Sequence, residues 1–204
     1  MNDEFSGSVC KIVPAGRFFF VASGLTYADD QQVADVGAQV GAESQSVADA
    51  MERFRQRMSV FIPRALAAES RVASAAPREP QGLVLEAAFV GMERNVASVT
   101  AEWFRVNGTV RDPRLTSDRR TYVSRNRKRF DFIFLGKRQA IDEYLEGRSI
   151  PIRGDSGAIA LITQLINLEV TESPETTAPP IDILALDAFG PRWLARKASC
   201  EPAR

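Results

Sequence analysis

Hydrophobic positions change period as the chain proceeds. Residues 9–13 and 17–22 are short runs rich in Val, Ile and Phe, joined through Pro14-Ala15-Gly16, which is turn chemistry, and they predict a β-hairpin. The hairpin ends at Ser23-Gly24, where glycine can take the positive φ needed to leave a sheet. From Gln31 the period becomes helical: Val33, Val36, Ala38 and Val40 predict a short helix that Gly37 and Gly41 weaken. A second helix opens at Ser46, with Asp49 three residues on in capping-box spacing. Val47, Ala50, Met51, Phe54, Met58 and Phe61 then line one face, and Pro63 is expected to kink or divide it.

Beyond a proline-containing loop at 73–82, residues 83–90 and 96–106 predict a buried strand pair turning at 92–95. Residues 111–129 are polar and basic and predict a solvated hairpin; 130–135 is an apolar run read as a strand ending at Gly136, and a helix is expected over 138–145. Gly154-Asp155-Ser156-Gly157 precedes apolar positions at helical spacing from Ala158 to Val170, read as a largely buried helix. Residues 173–180 form a proline-rich loop, and 181–187 with 192–196 close the chain as a hairpin. Strands, two helices, strands, two helices and two strands make an α+β fold, with helices packed on sheets rather than alternating βαβ units.

Length and composition narrow the chemistry. With 204 residues, 45% of them hydrophobic, the chain is read as one domain over 1–204, with a disordered start at 1–8 and a tail at 197–204. Lys plus Arg and Asp plus Glu both total 26, so no overall field draws the chain to nucleic acid or an acidic membrane. Histidine is absent, which removes Ser-His and Cys-His nucleophilic pairs and the usual mixed histidine metal sites. No cofactor and no metal are expected. Cys10 and Cys200 both sit near strand ends at the two chain termini, where sequence leaves a pairing between them open; they are read as two free, partly buried thiols in a reducing compartment. The acidic, polar start lacks the basic and apolar regions of a signal peptide. The longest apolar stretch, 158–168, is too short and too interrupted to span a bilayer, so a soluble cytoplasmic protein without membrane partners is expected. Trp103 and Trp193 are read as core or subunit-interface anchors.

The string Val9-Cys10-Lys11-Ile12-Val13, followed by Arg17 to Leu25 with Ser23-Gly24 at its end, resembles the hairpin of proteasome β-type subunits and their bacterial relatives, the N-terminal-nucleophile (Ntn) hydrolases. Phe132-Ile133-Phe134-Leu135-Gly136 with the Ala140-Ile141 helix, and Pro180-Ile181-Asp182-Ile183-Leu184, resemble later strands of that fold in the same order. The resemblance implies an αββα sandwich of antiparallel sheets. It implies a threonine-type nucleophile on a strand preceding this hairpin, with its own amine as base and a nearby lysine lowering that amine's pKa. Lys11 stands where that lysine would, Ser23 where a backbone N–H would form the oxyanion hole, and Gly24 follows it. Residues 1–8 are too short to supply the preceding strands, so the expected protein lacks the N-terminal strands and is a non-catalytic structural or assembly subunit. Self-association, or association with related subunits, follows from the family's ring-forming habit.

The alternative is a threonine-type peptidase or amidohydrolase whose first strands lie upstream, with a peptide substrate. Ser6, Ser8 or Cys10, exposed by processing, would sit on the lysine strand itself instead of facing it, which argues against all three as nucleophiles. Ser156 is only a faint match to the family's supporting serine and is read as capping a helix. Nucleic-acid binding by the basic stretch ranks last, because Tyr122 is the only aromatic interleaved in it.

Overall fold

The computed structural model describes residues 10–28, 31–72, 82–109, 112–123, 133–174, 182–187 and 189–200. Among these, four helices and antiparallel sheets form a mixed α+β structure. The chain divides into two compact units. One holds residues 11–125 and 186–191, the other residues 1–10, 126–185 and 192–204.

The larger unit is built on a five-stranded antiparallel sheet ordered β1-β2-β5-β6-β7. Its strands are β1 (Ile12–Ala15), β2 (Phe18–Gly24), β5 (Gly82–Glu93), β6 (Val96–Thr109) and β7 (Asp112–Val123). A minor pair, β3 (Tyr27–Ala28) and β4 (Gln31–Gln32), precedes the helices and carries no periodic signal in the sequence. The first hairpin forms with a tighter turn than expected. Pro14 lies inside β1, an edge strand where a missing N–H is tolerated, and Gly16 at φ 66° begins the turn. The β5–β6 turn narrows to Arg94 and Asn95, both at positive φ.

Helices α1 (Val33–Ala42) and α2 (Val47–Val72) cover one face of this sheet. Phe20, Phe54 and Phe89 pack with ring centroids 4.9 to 6.0 Å apart, and Phe104 joins at 6.0 Å from Phe54. The two glycines that weaken α1 as a helix are what seat it: a Cβ at Gly37 would overlap the Phe20 ring, and one at Gly41 would lie 2.5 Å from the Cβ of Ala15. At the start of α2 the Ser46 hydroxyl accepts the Asp49 N–H at 3.0 Å, and Asp49 Oδ2 accepts the Gln45 N–H at 3.0 Å. Pro63 does not divide α2, which runs on to Val72. Burial of Ile62, with Phe61 and Leu66 packed on the same core, outweighs the roughly 3 kcal/mol an interior proline costs.

Residues 112–123 are not the tip of a solvated hairpin but the edge strand of the sheet; the remaining basic residues, Arg111, Arg125, Arg127, Lys128 and Arg129, lie outside the described residues. Long β6 pairs with β7 from Ser98–Val123 to Thr109–Asp112, which recruits the polar segment into the sheet.

In the smaller unit, α3 (Gln139–Leu145) and α4 (Gly154–Glu172) bury Ile141, Leu161 and Leu165 against Phe134, Tyr144, Ile150 and Ile152. Of the strand expected over 130–135, residues 133–135 are described and lie in no strand; Phe134 packs its side chain into this core instead of pairing its backbone. Gly154 to Gly157 form the first turn of α4 instead of preceding it, Ser156 is exposed, and the N-cap position is Arg153. The helix is buried on one face only, at Ala158, Leu161, Leu165 and Glu169. Strands β8 (Ile183–Asp187) and β9 (Gly190–Ala195) pair as a two-stranded sheet, as the closing hairpin predicts.

Cys10 and Cys200 are not free thiols. They form a disulfide with Cα atoms 5.6 Å apart at a sequence separation of 190. Structural disulfides persist in oxidising environments, so the bond weighs against the reducing compartment that two cysteines alone imply. No described helix is long and apolar enough to cross a membrane.

Candidate functional site

Lys11 is exposed and sits one residue before β1, directly after disulfide-bonded Cys10. Ser23 and Gly24 close β2 inside the antiparallel ladder, Ser23 opposite Glu86 and Gly24 opposite Leu85. Gly24 holds φ at 98°, and a Cβ there would lie 2.5 Å from the Val84 carbonyl oxygen, so the position demands glycine. The chain then turns away while the Leu25 N–H donates to that same carbonyl at 2.9 Å.

Directly opposed residues of an antiparallel pair share a face, with Cβ atoms about 5 Å apart. Ser23, Glu86 and Trp103 therefore form a row across β2, β5 and β6 on the face away from α1 and α2. Glu86, opposite Ser23 in the ladder, is 7% exposed, a buried carboxylate. A serine hydroxyl can donate a hydrogen bond to a carboxylate beside it. Cys10, the one of the three candidate nucleophiles that lies among the described residues, has its sulfur bonded to Cys200. Ser6 and Ser8 lie outside the described residues.

The helix-covered face holds a second polar cluster. Glu102, 1% exposed in the middle of β6, accepts the Ser117 hydroxyl at 2.6 Å and Arg119 Nε at 2.8 Å. The Arg119 guanidinium also reaches Glu52 on α2 at 2.9 Å. Glu52 is further held by Arg55 at 2.6 Å and Gln56 at 3.0 Å. The Arg55 guanidinium, then Arg119, hold the Glu52 carboxyl down at about 2, while Glu52 raises the pKa of Arg55. The cluster is a paired, hydrogen-bonded tie between α2 and the sheet, with its carboxylates committed to guanidinium groups.

Sequence reasoning missed both Glu86 and Glu102. The signal was available: each is a lone carboxylate inside an apolar strand, 83–90 and 96–106, and such a residue is buried with partners or not at all.

In the smaller unit, Asp182 Oδ1 accepts the Lys197 N–H at 2.8 Å, while Asp182 Oδ2 and Arg196 Nε are buried without a hydrogen-bond partner. The Arg196 guanidinium stacks over Trp193 at 4.4 Å. Buried Glu169 of α4 accepts the Ile141 N–H at 3.3 Å, satisfying one of the open donors in the first turn of α3. Both arrangements hold backbone in place.

Comparison with known protein families, with curated proteins and with solved structures finds no match.

Proposed function

We propose that this chain is a proteasome-like, Ntn-type domain acting as a non-catalytic structural or assembly subunit. The order of elements supports this reading: the hairpin β1–β2 with Lys11 ahead of it and Ser23-Gly24 at its end, then, past the minor pair β3–β4, two helices, three long strands, two helices and two strands, while residues 133–135, inside a segment that carries the resemblance, lie in no strand. A layered reading has further support in the sheet itself. Its face away from α1 and α2 carries Val21, Ala88, Val90, Val99, Ala101 and Trp103, with Ala88 and Ala101 buried. An αββα sandwich requires an apolar face of this kind on each of its two sheets.

One observation supports the non-catalytic part: the Cys10 thiol beside Lys11, a candidate nucleophile, is closed in a disulfide. Lys11 then has a structural role, or one inherited from a catalytic arrangement.

The test is hydrolysis of a panel of fluorogenic peptide amides by the protein and by Lys11→Ala. The proposal expects no turnover that the substitution abolishes. Turnover that disappears in Lys11→Ala and leaves a covalent acyl adduct on the chain would reverse it in favour of the peptidase.

A further inference from the structure

We infer that β7 is a docking edge for a second copy of this chain, which joins two five-stranded sheets into one continuous sheet about a two-fold axis at Arg119. The inference stands on the edge strand alone and does not depend on the proteasome-like reading.

The sheet has two edges, and they differ. Strand β1 is four residues long and contains Pro14, which denies a ladder hydrogen bond to any newcomer. Strand β7 is twelve residues long, and among the described residues no strand pairs its outer side. A long edge with unpaired backbone groups is a template for another strand unless its side chains forbid it.

Here the side chains select a register. Two copies of β7 related by a two-fold axis normal to the sheet pair antiparallel. With Arg119 on the axis, Asp118 of each copy lies opposite Arg120 of the other. Ser117 then faces Thr121, Thr116 faces Tyr122, and Leu115 faces Val123. Asp118 and Arg120 are about three-fifths exposed, and they already approach each other within one strand at 3.5 Å on the face away from the helices. Dimerisation would extend that pair into an alternating square of four charges. Arg120 is further positioned by stacking over Trp103 at 5.6 Å. Arg119, at the axis, does not bring bare like charges together, because each guanidinium is already held by Glu102 and Glu52. Val123, 42% exposed, gains an apolar neighbour.

Neighbouring registers fail. A shift of one pair either way places Asp118 against Asp118 or Arg120 against Arg120. A register centred on Thr116 would also oppose unlike charges, Arg114 with Asp118, but it draws Pro113 into the ladder opposite Arg119, where it has no N–H to give.

Sedimentation of the full chain at several micromolar tests this, with D118R, R120D and the exchange D118R/R120D measured alongside. A dimer is expected for the wild type. Each single substitution turns two unlike pairs into like ones and is expected to raise the dissociation constant at least about ten-fold. The exchange restores unlike pairs only in the register centred on Arg119 and is expected to return affinity to near the wild-type value. A wild-type monomer at all concentrations, or a dimer indifferent to the single substitutions, would overturn the inference. So would an exchange variant as weak as the single variants.

Discussion

At the scale of single residues, the informative positions are the carboxylates placed among apolar neighbours. Glu102 is buried because Ser117 and Arg119 meet both of its oxygens, and Arg119 in turn is shared with Glu52 on α2. Glu102→Ala would leave the guanidinium half-buried and short of a partner, and a loss of about 3 kcal/mol is expected in chemical denaturation. Adding Arg119→Ala should cost less than a second independent loss, because the orphaned group is gone. Glu52 sets a pH dependence. Its carboxyl falls from its ordinary 4.5 to about 2 in the folded chain, so its contribution is complete above pH 4.5 and is lost as pH falls through about 2. The side chain is 38% exposed, so screening keeps this contribution below about 1 kcal/mol. Glu52→Gln should therefore lower stability above pH 4.5 by up to about 1 kcal/mol, flatten the acid limb between those two values, and leave stability at the acid end nearly unchanged.

At the scale of elements, helix α1 shows a conflict between local propensity and packing. Gly37 costs the helix about 1 kcal/mol relative to alanine, yet its missing Cβ lets Phe20 lie against the helix backbone. Gly37→Ala is expected to lower the melting temperature despite the gain in helix propensity; an unchanged or higher value would show that Phe20 can move aside. This also marks how far the sequence could be read. Val33, Val36 and Val40 on α1 and the Ser46–Asp49 cap of α2 were legible because period and capping are local. The glycines read only as weak helix formers, since the phenyl ring they accommodate comes from another strand. Pro63 read as a break because the burial of Ile62 that sustains α2 is tertiary. Strand β7 reads as solvated in sequence because its polar residues are those of an edge, and the pairing that makes it a strand is supplied by β6. Of the candidate site, Lys11, Ser23 and Gly24 were visible in sequence, whereas Glu86 gains its position beside Ser23 only through the register of β5.

At the scale of the whole molecule, the disulfide between Cys10 and Cys200 is the feature that sequence alone left open, because no spacing rule brings residues 190 apart together. Closing so long a loop restricts the unfolded chain strongly, and in the chain-entropy account it stabilises by about 5 kcal/mol. Cys10→Ser with Cys200→Ser, or thermal unfolding under reductant, should lower the melting temperature by several degrees. An unchanged melting temperature would mean the bond is open in solution. The same bond carries the functional reading, since it removes the thiol adjacent to Lys11.

That reading is tested most directly by the intact mass and first residue of the protein isolated from its native source, without reductant. The account predicts a chain whose free terminus is not Thr, Ser or Cys and whose mass is two hydrogen atoms lighter than the reduced form. A longer, processed chain beginning with Thr, Ser or Cys would contradict it and make Lys11 part of a working hydrolase.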